Sequence, residues 1–255
     1  MGDKKKDRQY YVVKSNDLIR KSRYNLTTQQ QKIVLFCISK IKPNDSYEKW
    51  YEIEIEDICN ACNLKVGNGG YYYKSIKDDL QKLTNRLWVK MPDNSETTVA
   101  WISDATIIPL SGKVYVKFHP KMAPYLFDLR ERYTQYHLED VLVFKNKYAI
   151  RLYEILRSYM THYEIEEGVS KEISISVDEM RSMLSIDGYT NFKDFNKYVL
   201  KRAVDEINAY NEDLSITYKT ISPYRRKVET IIFFITYPRA RDLYVIRRNK
   251  EERLK

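Results

Sequence analysis

The 255-residue sequence predicts an α+β fold of two tandem winged-helix (helix-turn-helix) domains related by an internal repeat. Three observations carry that expectation. The order helix, short strand, helix, turn, helix, β-hairpin occurs twice. Ile53 matches Ile173 and Leu35 matches Leu152 at almost the same offset. Each copy also closes with apolar strands around a turn-rich connection.

In the first copy, Thr27-Thr28-Gln29-Gln30-Gln31 offers a capping-box start to a helix reaching Ile41, with Ile33, Leu35, Phe36, Ile38 and Ile41 apolar. Trp50 to Ile55 alternates as a strand, and a short helix follows around Ile58 to Leu64. The Gly-rich break Gly67-Asn68-Gly69-Gly70 leads into a helix from Tyr71 to Asn85, with Ile76, Leu80 and Leu83 on one face. Strands are predicted at Leu87 to Met91, Thr98 to Leu110 and Lys113 to His119.

The second copy repeats the plan. A helix from about Lys145 to Tyr159 carries Ile150, Leu152, Tyr153, Ile155 and Leu156. A short strand, Glu172 to Ile175, and a short helix, Val177 to Leu184, come next. Asp187-Gly188 marks a turn before the helix Asn191 to Tyr210, and strands Leu214 to Ser222 and Lys227 to Tyr237 flank the tip Pro223-Tyr224-Arg225-Arg226.

With 43% hydrophobic residues the chain can bury the cores of two domains of about 120 residues each. Its 44 Lys and Arg against 35 Asp and Glu leave a net charge of +9, which favours an anionic partner such as a phosphate backbone. The start MGDKKKDRQYYVV is basic with no long apolar run behind it, and no stretch approaches the ~18 apolar residues of a membrane helix. A cytoplasmic protein without membrane contact is expected.

Cys59 and Cys62 have the spacing of half a zinc site, but no second Cys/His pair follows, so the three cysteines read as ordinary thiols. His119, His137 and His162 lie far apart, which denies a nicking enzyme its metal-binding histidine cluster. Gly67-Asn-Gly-Gly-Tyr lacks the lysine and hydroxyl of a phosphate loop. No catalytic set stands out. The expectation is no enzyme, no metal and no cofactor.

Winged helices dock one helix in the major groove and lay the hairpin along the backbone. In the helix Asn191 to Tyr210, Phe192, Phe195, Val199, Ala203 and Ile207 predict a buried face, and Lys193, Lys197 and Lys201 a separate stripe with Asn196 and Tyr198 beside it. Lys can bond guanine or phosphate, and Asn can pair with adenine. Asp194 and Asp205 share that surface, so a merely solvated face is the competing reading. The tip Tyr224-Arg225-Arg226-Lys227 concentrates three cations that folding does not require, placed to reach phosphates or a minor groove. In the first copy Lys74 and Lys77 occupy the matching helix, but Asp78 and Asp79 dilute them, and the hairpin turn with Asp93 and Glu96 reads as an acidic wing repelled by phosphate. That domain's role stays open between a weaker DNA contact and self-association.

Several passages resemble the replication initiator (Rep) proteins of iteron-type plasmids. Val13-Lys14-Ser15-Asn16-Asp17-Leu18-Ile19 with Leu26-Thr27 and the following helix is similar to the family's N-terminal signature. Lys147-Tyr148-Ala149-Ile150-Arg151-Leu152-Tyr153-Glu154-Ile155-Leu156 resembles the opening of the second winged helix. Phe192-Lys193-Asp194-Phe195, running to Val204-Asp205-Glu206-Ile207-Asn208, resembles the iteron-reading helix, although family helices are often Arg-rich where Lys193, Asn196, Lys197 and Tyr198 stand here. The resemblance implies a protein that binds direct repeats in double-stranded origin DNA, helps open an AT-rich stretch, recruits host initiator, helicase and primase components, and represses its own gene as a dimer. A winged-helix transcriptional regulator or phage replication protein is the alternative, because fold does not fix function. The expected organisation is 10–140, a first winged-helix domain for dimerisation and secondary DNA contact; 141–240, the main DNA reader; and 241–255, a charged tail.

Overall fold

The computed structural model describes residues 10–64, 71–85, 87–90, 95–108, 110–160, 170–223, 227–238 and 240–254. The chain divides into two compact units. One comprises Met1–Leu18, Gln29–Val89 and Asp93–Leu142, the other Ile19–Thr28, Lys90–Pro92 and Val143–Lys255.

The first unit contains β1 (Tyr11–Ser15), the start of α1 (Asn16–Lys21), nearly all of α2 (Thr28–Ile38), β2 (Tyr51–Glu54), α3 (Ile55–Cys62), α4 (Tyr71–Thr84), all but the last residue of β3 (Leu87–Lys90), β4 (Glu96–Val99), β5 (Ile102–Ile108), β6 (Lys113–Phe118), α5 (Ala123–Leu126), β7 (Tyr133–His137) and α6 (Glu139–Leu142). Strands β2, β6 and β5 form an antiparallel sheet in that order, β1 pairs with β7, and β3 pairs with β4. The sheet's inner residues Ile53, Val114, Val116 and Phe118 meet Ile58, Ile76 and Leu80 of the helices in the core, all at most 2% exposed. Burying each such side chain is worth about 1.5–3 kcal/mol.

Two local expectations change. Ile55, read as the end of a strand, opens α3: its N–H donates to the Gly112 carbonyl at 2.8 Å, and Glu56 and Asp57 suit the positive end of a helix dipole. The strand read from Thr98 to Leu110 is two strands in different sheets. Val99, Ala100, Trp101 and Ile102 are all buried, and a regular strand, alternating its side chains, cannot bury four in succession on one face.

The second unit is built from α7 (Lys147–Ser158), β8 (Lys171–Ser176), α8 (Val177–Met183), α9 (Phe192–Phe195) continuing through a π-helical turn (Asn196–Leu200) into α10 (Lys201–Tyr210), then β9 (Ser215–Ile221), β10 (Thr230–Thr236) and α11 (Ala240–Leu254). Its sheet runs β8-β10-β9, so in both units the last strand of the hairpin lies between the other two. The repeat read in the sequence is a repeat of topology. Helix α7 is capped by Asn146, whose side chain accepts from the Tyr148 N–H, and six of its apolar residues from Ala149 to Leu156 are fully buried.

Segment Ile19–Thr28, inside the expected first domain, folds with the second unit. The buried Arg151 guanidinium on α7 donates to the Ile19 carbonyl at 3.0 Å, the Tyr24 hydroxyl at 2.7 Å and the Met183 carbonyl at 3.2 Å, and pairs with the buried Glu154 at 3.3 Å. Burial pushes the Tyr24 phenol far above its usual range. Arg20 donates to Ser158 and lies over the Tyr159 ring at 3.9 Å, and Lys147 reaches Asn25 at 2.7 Å.

The residues expected as a charged tail form the helix α11, packed on α10. Its buried Ile246 is too little to hold it, and ion pairs supply the rest: Arg253 meets Glu206 at 2.5 Å, and Arg247 and Lys250 meet Glu212 at 2.8 and 3.5 Å. Burial raises the Glu212 carboxyl, but the bonds and charges of Arg247 and Lys250 outweigh it and hold the group below its ordinary 4.5. A lowered folded-state value contributes stability above the unfolded value and loses it as pH falls through the folded one. Hydrogen-exchange protection of α11 should therefore decline in acid below pH 4.5, and Glu212→Gln should lower it at neutral pH and make that decline shallower. Equal acid profiles for the two proteins would detach Glu212 from the helix.

Candidate nucleic-acid interface

The helix-turn-helix of the second unit is α8, the turn after it, and α9 to α10. A spacing of four residues advances about 40° further around an α-helix at each step, so an i, i+4, i+8 series drifts off one face. Here the π-helical turn, closed by the Lys201 N–H on the Asn196 carbonyl, absorbs one residue and cancels the drift. Phe195, Val199, Ala203 and Ile207 are consequently all fully buried, and Lys193, Lys197 and Lys201 stay close to one line. Phe192 is only partly buried, sitting in the first turn with its ring edge-on to Phe195 at 6.1 Å.

Within that line the lysines differ. Lys193 and Lys197 are exposed, and neither is in an ion pair among the described residues. Lys201 bonds Asp205 at 2.8 Å, and this bond with its attendant charge raises the ammonium above its ordinary value. Asp194, the other carboxylate on this surface, is occupied at the helix start, where its N–H and carboxylate exchange bonds with the Asn191 cap at 2.8 and 2.7 Å.

Asn196 accepts the Tyr218 hydroxyl at 2.6 Å through the oxygen that adenine N6 would need, so it ties the helix to β9. The half-buried Tyr198 stacks on Tyr189, with Lys197 and Arg202 at 4.9 and 5.4 Å from its ring. On the wing, Lys227 is exposed; Tyr224, Arg225 and Arg226 lie outside the described residues.

In the first unit Lys74 and Lys77 are exposed on α4, as is Asp78. Asp79 does not dilute them, because it is 7% exposed and accepts from Gln30 at 2.9 Å. The acidic wing is corrected too. Sheet order makes β5 and β6 the counterpart of the β9–β10 wing, whereas Glu96 belongs to the separate β3–β4 pair and Asp93 lies outside the described residues. The β5–β6 tip, Leu110-Ser111-Gly112, is uncharged, and Gly112 there takes φ +72°, a conformation glycine adopts without strain.

Sequence reasoning missed Arg181, Tyr189 and Arg202. Arg181, on α8, donates to the carbonyls of Gly188, Thr190 and Asn191 at 3.2–3.4 Å and lies over the Phe195 ring at 4.6 Å, fixing where the reading helix begins. A lone Arg four residues after a helix start carries no local signal of that task. Arg202 was visible as a cation one residue from the stripe.

No group of three or more His, Cys, Asp and Glu suited to a metal ion occurs among the described residues. Burial pushes the Cys37 and Cys62 thiols up to about 12 and raises Cys59, which keeps all three protonated. No helix among the described residues is long and apolar enough to cross a membrane.

Comparison with known proteins places these features. The profile described as Initiator Replication protein, WH1, matches residues 11–157, and that described as Initiator Rep protein, WH2, matches residues 176–235. The WH1 match includes α7, which folds with the second unit. A replication initiation protein of Escherichia coli is 28% identical over 236 residues, 91% of this chain and 71% of its own length. The crystal structure of the Pi initiator protein in complex with iteron DNA shares the fold, with a TM-score of 0.74 at 19% identity over 91% of this chain and 99% of that one.

Proposed function

Since this chain belongs to the initiator replication protein family, we propose that it is a plasmid replication initiator whose second unit reads direct repeats, the iterons, in double-stranded origin DNA. The observation that carries this reading is the pair Lys193 and Lys197. Both are exposed and unneutralised among the described residues, on a helix whose opposite face is sealed into the core, in a fold shared with an initiator bound to iteron DNA. Tyr198 and Lys201 flank them, Asn196 steadies the helix against the wing, and Tyr224, Arg225, Arg226 and Lys227 supply phosphate contacts from its tip. Lys74 and Lys77 of the first unit add a secondary contact.

In this reading the protein acts by binding, without a cofactor, metal or catalytic step, in the cytoplasm. It helps open the origin, recruits the host initiator, helicase and primase components, and represses its own gene as a dimer formed through the first unit. Tandem direct repeats of about two turns of duplex beside an AT-rich segment are expected next to the gene. Lys197→Ala should weaken binding to those repeats about 5- to 150-fold more than binding to random duplex, measured by fluorescence anisotropy, because base discrimination is worth about 1–3 kcal/mol. Equal losses on both DNAs would make Lys197 a phosphate contact, and equal affinity of the wild-type chain for both would sink iteron reading.

A further inference from the structure

The turn between α8 and the reading helix is strained in an unusual place. Ser185 and Tyr189 adopt the left-handed conformation, at φ +52° and +55°, whereas the adjacent Gly188, which could take it without cost, does not. A bulky aromatic in that region is an outlier that persists only when its surroundings enforce it. Arg181 does so here, by holding the carbonyls on both sides of Tyr189.

The strain has a geometric result. It turns the Tyr189 ring onto Tyr198 of the reading helix, with centroids 5.7 Å apart and planes 24° from parallel, while leaving Tyr189 41% exposed. Tyr198 stacks on one face of the ring, and the cations Lys197 and Arg202 neighbour Tyr198. An exposed aromatic ring held in place beside phosphate-seeking cations suits one apolar feature of the major groove, the 5-methyl group of thymine.

We infer that Tyr189, backed by Tyr198, is a specificity-determining residue that reads a thymine methyl group in the DNA bound by the second unit. The inference rests on the proposed function and adds a contact from the turn to those from the helix.

The test uses the full chain and a duplex enriched by in vitro selection with the wild-type protein, in which each thymine is replaced in turn by uracil. Wild type should lose about fourfold in affinity at one position, the worth of one buried methyl group. Tyr189→Phe should show the same loss. Tyr189→Gly should bind the thymine and uracil duplexes alike while unfolding at or above the wild-type temperature, since glycine relieves the left-handed strain.

Sensitivity retained in Tyr189→Gly, or absent from wild type at every thymine, would overturn the assignment. So would a lowered unfolding temperature with an equal loss on all duplexes, which would make the ring a core element. A wild-type chain that enriches no sequence would overturn the reading of the second unit as a DNA reader, and this contact with it.

Discussion

Replacing Arg151 with alanine is expected to destabilise the second unit by about 3–5 kcal/mol in chemical denaturation, the usual cost of removing one member of a buried ion pair. The arginine is 3% exposed and the Glu154 carboxylate 1% exposed, so the substitution leaves a charge in the core without its guanidinium. It also takes a donor from the Ile19 and Met183 carbonyls and from the Tyr24 hydroxyl. Replacing Arg151 and Glu154 together should cost less than the sum of the two single changes, because neither charge is then stranded. A loss below about 1 kcal/mol for Arg151→Ala, or strict additivity, would show that the network contributes little.

Glu206→Ala should cost about 2–4 kcal/mol, with loss of hydrogen-exchange protection at both ends of its reach. One oxygen accepts the Lys145 N–H at 2.9 Å and the Arg253 guanidinium at 2.5 Å; the other accepts the Asn146 N–H at 3.0 Å. A single carboxylate, 10% exposed, thus fixes the entry to α7 and the far turn of α11. Glu206→Gln keeps an oxygen for one of the two backbone N–H groups, turns its amide NH2 against the other and loses the charge, so it should fall between wild type and alanine. If α11 stays fully protected in Glu206→Ala, Glu206 does not anchor it. Glu206 stands in the passage that resembles an iteron-reading helix, yet its work is to brace that helix from behind.

The parts of the fold legible in the sequence are those with short-range periodicity. Helices α7 and α8, the helix running from α9 through α10, and strands β8 to β10 lie within a few residues of their expected bounds, because their apolar positions repeat near helical or strand spacing and are punctuated by turns. Strand β1 gave no such signal: its partner is β7, with Tyr11 opposite His137, a pairing that no local window contains. Helix α11 was unreadable for a related reason, since it is anchored by Glu206 and Glu212 rather than by an apolar stripe. In the interface, Lys193 and Lys197 were legible as exposed cations. The neutralisation of Lys201 by Asp205 was half legible, as an i, i+4 pair, while the capture of Asn196 by Tyr218 depends on β9 lying against the helix. The π-helical turn was not legible: apolar residues spaced by four from Phe195 to Ile207 also fit the broad apolar stripe of an uninterrupted α-helix.

The assignment of Ile19–Thr28 to the second unit bears on how the protein is made. As the chain leaves the ribosome, Leu18 and Gln29 belong to one folding unit and the ten residues between them to the other, whose α7 has yet to be translated. The first unit has all its residues once Leu142 has emerged, whereas Tyr24 must wait for Arg151. Closing so long a loop costs entropy that only the finished network offsets. The gene therefore cannot be divided cleanly between its two repeats: a polypeptide begun at Val143 would lack the strand of chain that its own arginine was shaped to hold.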